Sequence, residues 1–129
     1  MKTPPNLPHR EDFVCRMIHK NLSDIIPQQT SHGCGEKRVL MAKDETETDV
    51  TQVAVTQLKA GESVEEHTHD TMEEMFFVLD GSVAITADGT EEICKKDDFI
   101  HIKARTPHSL KALSDVKLMT VGCAVKEKE

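Results

Sequence analysis

The sequence has no tryptophan and no tyrosine, and its 129 residues include only 4 phenylalanines. Flat rings on which nucleobases or sugars could stack are therefore almost missing. Basic charge is also short: 16 lysines and arginines face 23 acidic residues, a formal net charge of −7. Nucleic acid and anionic membrane both demand a positive footprint, so neither is an expected partner. No long apolar run free of charge is present, so no membrane-spanning helix is expected. The N-terminus, Met1-Lys2-Thr3-Pro4-Pro5, lacks the apolar stretch of a secretory signal, and the expected compartment is the cytoplasm. The four cysteines, Cys15, Cys34, Cys94 and Cys123, form no C-x-x-C pair, which excludes a zinc knuckle or a thioredoxin-type motif. They are expected as reduced thiols, with Cys94 and Cys123 packed as small hydrophobes.

What is present fits one domain. Residues 1–12, rich in proline, read as a flexible tail, residues 13–125 as the folded unit, and residues 126–129 as a charged stub. The folded unit is strand-like. Apolar-rich stretches at 13–18, 38–41, 53–58, 75–79, 82–86, 99–102 and 116–121 are separated by turn residues. Residues 21–26 suit one helical turn stopped by Pro27, and residues 31–35 a glycine-rich bend holding His32. Two Asp-Gly pairs, Asp80-Gly81 and Asp88-Gly89, sit between apolar stretches and signal hairpins. Short strands without a long amphipathic helix predict an all-β antiparallel sandwich or barrel.

The chemistry concentrates in the segment from Gly61 to Gly81. His67 and His69 are two apart, so on a strand both imidazoles project from one face. Glu74 follows five residues later, an odd offset that needs a turn near Asp70-Thr71 to bring it to the same side. A third imidazole stands at His108, after Thr106-Pro107. Three imidazoles and one carboxylate suit a divalent transition metal (Mn, Fe, Co, Ni or Zn) with positions left for water or substrate. The acidic crowd of Glu65, Glu66, Asp70, Glu73 and Glu74 is consistent with a nearby cation. Taken singly, each part has an ordinary reading as a solvated strand edge, a charged face or a turn histidine. The joint spacing is what raises them together.

That spacing resembles the first motif of the cupins: Gly61, five residues, His67-x-His69, four residues, Glu74, six residues, Gly81. Residues 97–112 resemble the second motif, with Asp97 where cupins carry glycine, Lys103 and Arg105 where they carry proline and glycine, and Ala112 where asparagine is common. The resemblance spans about residues 36–125. It implies an antiparallel jelly-roll barrel with a short N-terminal strand and turn extension, one divalent metal per chain held by His67, His69, Glu74 and His108, and a homodimer using the 13–18 strand. It also implies a small-molecule ligand with oxygen donors, met by a dioxygenase, decarboxylase, lyase or isomerase. The alternatives are a non-catalytic ligand-binding or sensing cupin, and a metal-independent sugar isomerase or epimerase. The pocket wall is expected to be mostly aliphatic, from Phe76, Val78, Ile100, Ile102 and Leu110. His101 is expected to point outward, His32 to be a turn residue, with reach into the barrel mouth as the alternative, and Glu73 to face away from Glu74.

Overall fold

A computed structural model describes residues 16–126. Among the described residues ten strands make two antiparallel sheets. In chain order they are β1 (Gln28–Gln29), β2 (Glu36–Ala42), β3 (Val50–Leu58), β4 (Ser63–His67), β5 (Met72–Asp80), β6 (Ser82–Ala87), β7 (Thr90–Lys95), β8 (Phe99–Ile102), β9 (His108–Ala112) and β10 (Val116–Ala124). The larger sheet runs β1-β2-β3-β10-β5-β8 and the smaller one β4-β9-β6-β7. The all-β antiparallel jelly roll read from the sequence is the architecture found. The hydrogen-bonded ladders form two facing sheets rather than one closed ring. A 3-10 turn at Leu22–Asp24, capped by the Asn21 side chain, takes the place expected for a helical turn.

The inner faces follow from alternation along each strand. On β5, Glu74, Phe76 and Val78 face the other sheet, while Glu73, Met75 and Phe77 face outward. Val78 and Val83 are fully buried and Leu118 is 1% exposed, at the centre of an aliphatic core with Leu58, Ile85 and Leu110. Burying a side chain of this size contributes about 1.5–3 kcal/mol relative to leaving it in water. Cys94 belongs to this core, and among the described residues Cys34, Cys94 and Cys123 are free thiols.

The two Asp-Gly pairs behave differently. Asp88 and Gly89, with φ of 50° and 79°, turn β6 into β7 as a two-residue hairpin. Asp80-Gly81 is not a hairpin: β5 and β6 belong to different sheets, and this pair is the corner between them. Gly81 is required there because a Cβ would collide with the Asp115 carbonyl and lie 2.9 Å from Val116 Cα. The expected strand at 13–18 also needs correction. Residues 16–18 are in no strand, and 13–15 lie outside the described residues, as do the tail at 1–12 and residues 127–129. Among the described residues no helix is long and apolar enough to cross a membrane.

Candidate metal centre

His67 is the last residue of β4, and its Cα partner is His108, the first residue of β9. The pairing passes from Val64–Leu110 to His67–His108, three residues on one strand against two on the other. That bulge matters, because Val64 and His67 would otherwise point to opposite faces. It turns the His67 ring inward, beside His108, with ring centroids 4.2 Å apart. His69 lies beyond the end of β4 rather than on it, yet its ring is still 4.9 Å from that of His67. The loop carrying His69 is fastened by Arg105, whose backbone N–H donates to the His69 carbonyl (2.7 Å) and whose guanidinium donates to the Asp70 carbonyl (3.1 Å).

Glu74 enters from β5, and its inward face is set by the ladder with β8 and β10. Nε2 of His69 and Nε2 of His108 both lie 3.0 Å from Glu74 Oε1. One ligand atom from each of His67, His69, Glu74 and His108 can be chosen so that all lie within 4.8 Å of one another. The four residues singled out in the sequence thus converge on one point.

The donor chemistry fits a metal ion. A carbonyl oxygen can only accept, so Nδ1 of His67 donates to Glu65 (2.8 Å) and Nδ1 of His108 donates to Thr106 (2.8 Å). Both rings are thereby fixed with Nε2 turned to the shared point, the usual way a ligand imidazole is oriented. His108 is 2% exposed and Glu74 18% exposed, so neither group is freely hydrated. Burial is the largest influence on Glu74 and works upward, but the His108 hydrogen bond and the charges of the three histidines outweigh it and lower its pKa. Burial likewise pushes His108 down, and the Glu74 and Thr106 bonds with the Glu74 charge reverse this to a net rise. His67 is lowered, first by burial and then by His108, His32 and His69 against the Glu65 carbonyl.

Residues 54–122, more than half of the sequence, match the family model of the cupin domain. The chain belongs to the cupin family. It is 34% identical over 58 residues to the uncharacterised protein MJ1618 of Methanocaldococcus jannaschii, a stretch that covers 45% of this chain and 46% of that one. The chain thus matches under half the length of that relative. Similar solved structures include a predicted oxalate decarboxylase from Thermotoga maritima (TM-score 0.78, 22% identity, 84% of this chain and 100% of the other). Ectoine synthase from P. lautus is also similar (TM-score 0.73, 19% identity, 83% and 78%), as is an RmlC-like cupin from Shewanella frigidimarina (0.70, 12%, 84% and 91%). At these identities the likeness establishes the cupin fold.

The second motif departs from its family at Asp97 and Arg105 and nevertheless keeps the backbone that glycine serves. Asp97 has φ of 76° and Arg105 of 65°. A side chain in this left-handed region costs about 1–2 kcal/mol. Arg105 offsets part of that through its bonds to the His69 loop.

The wall of this cupin's mouth corrects two expectations. A cavity of about 200 Å³ is lined by three of the four residues, His67, His69 and Glu74, and Phe76 and Leu110 line it as expected. Ile100 and Ile102 instead border a separate groove with Phe99 and Ile93, and Val78 is fully buried in the core. The remaining wall is polar in large part, with Lys37, Gln52, Thr56, Thr120 and His32. His32 sits in a turn, as expected, and its ring also reaches the mouth, 4.5 Å from that of His67. Lys37, Gln52 and Thr56 come from β2 and β3, Thr120 from β10 and His32 from the turn between β1 and β2, all outside the sequence motifs. Glu73 and His101 stand on the outer face as expected, 2.9 Å apart.

Proposed function

We propose that this cupin holds one divalent transition metal (Mn, Fe, Co, Ni or Zn) through His67, His69, Glu74 and His108 and acts on a small substrate with oxygen donors. The observation that carries the reading is the convergence of three imidazoles and one carboxylate beside a cavity. When bound, such an ion supplies Lewis-acid polarisation of a substrate oxygen or activation of water. The chain's own residues do the rest. The Glu65 and Thr106 carbonyls fix two imidazole tautomers, and Arg105 holds the His69 loop. His32 and Lys37 are the titratable groups on the cavity wall besides His67, His69 and Glu74. The kinship with a predicted oxalate decarboxylase and with ectoine synthase supports small-molecule chemistry.

Elemental analysis of protein purified without a histidine tag is the test. One transition-metal ion per chain is expected, and His69→Ala is expected to lose it while keeping the fold. A metal-free wild type, or a His69→Ala protein with full occupancy, rejects the assignment.

We further propose a homodimer in the cytoplasm. The outer face of the larger sheet supports it. Met119, Phe77 and Phe99 stand in register across three strands, and Phe99 is 63% exposed. Apolar rows of this kind commonly mark an interface. Sedimentation at micromolar concentration is expected to give twice the chain mass, and a Phe99→Asp variant to shift toward monomer. A wild type that sediments as a monomer removes the proposal. Cell fractionation reads the compartment.

A further inference from the structure

Lys37 brings a charge to the inner face of the larger sheet. It pairs with Thr56 in the β2–β3 ladder, and Thr56 pairs with Leu118, which is 1% exposed. These three residues therefore share the inner face. Two positions further along, Val39 pairs with Ala54, which is fully buried, so the inward parity of this stretch of β2 is set from both sides. Lys37 lines the same 200 Å³ cavity as His67, His69 and Glu74. Among the described residues its ammonium has no ion-pair or hydrogen-bond partner, although exposed Lys20 and half-buried Arg38 on the same molecule find theirs. The side chains of Gln52 and Thr56 beside it are likewise without a hydrogen-bonding partner among the described residues, and both line the cavity. One ammonium, one amide and one hydroxyl, each half-buried and without a protein partner among the described residues, face this cavity together and can all turn to one polar guest.

Charge decides what. Neutral imidazoles contribute none, so a divalent ion against Glu74 alone leaves one positive charge uncompensated. Lys37 adds a second in the same small cavity. A dianion balances both, and a monoanion or a neutral molecule does not. We propose that this cavity takes a small dicarboxylate, with one carboxylate toward the four ligands and the other held by Lys37, Gln52 and Thr56. This rests on the metal reading above. One ammonium and two neutral groups suit a carboxylate at the far end. A phosphate would call for more donors, and no arginine lines the cavity. Lys37 and Glu74 stand on different strands, separated by β3 and β10. A diacid longer than two carbons is therefore expected to span the two better than oxalate does.

Calorimetric titration of the zinc-loaded protein with malonate, succinate and glutarate, against butyrate and inorganic phosphate, tests this. At least one diacid is expected to bind about tenfold or more tighter than butyrate and tighter than phosphate. Lys37→Met is expected to erase the advantage over butyrate while zinc content stays at the wild-type value, and Lys37→Arg to retain most of it. Equal binding of diacids and butyrate, a preference for phosphate, or an undiminished diacid preference in Lys37→Met overturns the proposal. Zinc measured on the same samples separates the failures. A chain that takes up no zinc fails the metal reading and this proposal with it, whereas a loaded chain that does not discriminate fails this proposal alone.

Discussion

Glu73 and Glu74 are neighbours on one strand, and each lies about one hydrogen-bond length from a histidine. Glu73 Oε1 is 2.9 Å from His101 and Glu74 Oε1 is 3.0 Å from both His69 and His108. Distance does not separate the two pairs. Their surroundings do. The outer pair is 40% and 34% exposed in its side chains, and water screens it on every open side. The inner carboxylate is 18% exposed, faces three imidazoles instead of one, and has its pKa lowered against its own burial. A histidine–carboxylate contact becomes a candidate site when several donors converge where hydration is incomplete. At the surface the same contact is a decoration of the sheet.

Glu74→Gln is the strongest way to break this comparison. The amide keeps the volume and can still meet His108, but the only anionic donor of the set is gone. Metal affinity is expected to fall by about 100-fold or more, beyond the 10–100-fold typical of a partner one step further from the ion. Dialysis against buffered zinc followed by elemental analysis reads it. Unchanged occupancy would place the ion elsewhere or nowhere. Metal removal from the wild type is the next largest effect. An ion present at 100 times its Kd stabilises the folded chain by about 2.7 kcal/mol. A chelator is therefore expected to lower Tm by on the order of 10 °C. The Glu74→Gln protein should show little of that drop, and Glu73→Gln all of it.

The ligand set was legible in the sequence because most of it is local. Gly61 to Gly81 carries three of the four ligands in one segment, and the histidine after Thr106-Pro107 supplies the fourth. Even so, alternation alone would have misplaced them. Only a bulge between Val64 and His67 puts both on the inner face, and His69 stands past the strand end. The hairpins show the same limit. Asp80-Gly81 and Asp88-Gly89 read alike, but only in the second do both residues have positive φ. The first is decided by Asp115, 34 positions away, whose carbonyl occupies the space beside Gly81. The polar wall was hidden for a related reason. Lys37 and Val39 share the inner face, and a bulge between Val39 and Met41 then turns Met41 outward. The run Glu-Lys-Arg-Val-Leu-Met thus reads as a plain strand with a charged start. His32 reaches the ligands only because the β1–β2 hairpin folds over the mouth, which no pattern within residues 31–35 announces.

The smallest expected effect sharpens the contrast most. Glu73→Gln removes one charge from an exposed pair that joins β5 to the edge strand β8. Such pairs contribute about 0.2–1 kcal/mol, and raising the ionic strength should remove most of that in the wild type. The expected outcome is a Tm lowered by a few degrees at most, with metal content and diacid binding unchanged. His101→Ala should match it, and the double variant should lose no more than about 1 kcal/mol beyond the larger single loss. A change in metal content in either variant would mean that the strand transmits the outer pair to the inner one. The separation between the two faces of β5 would then be one of degree, with Glu73 acting on Glu74 through the shared backbone between them.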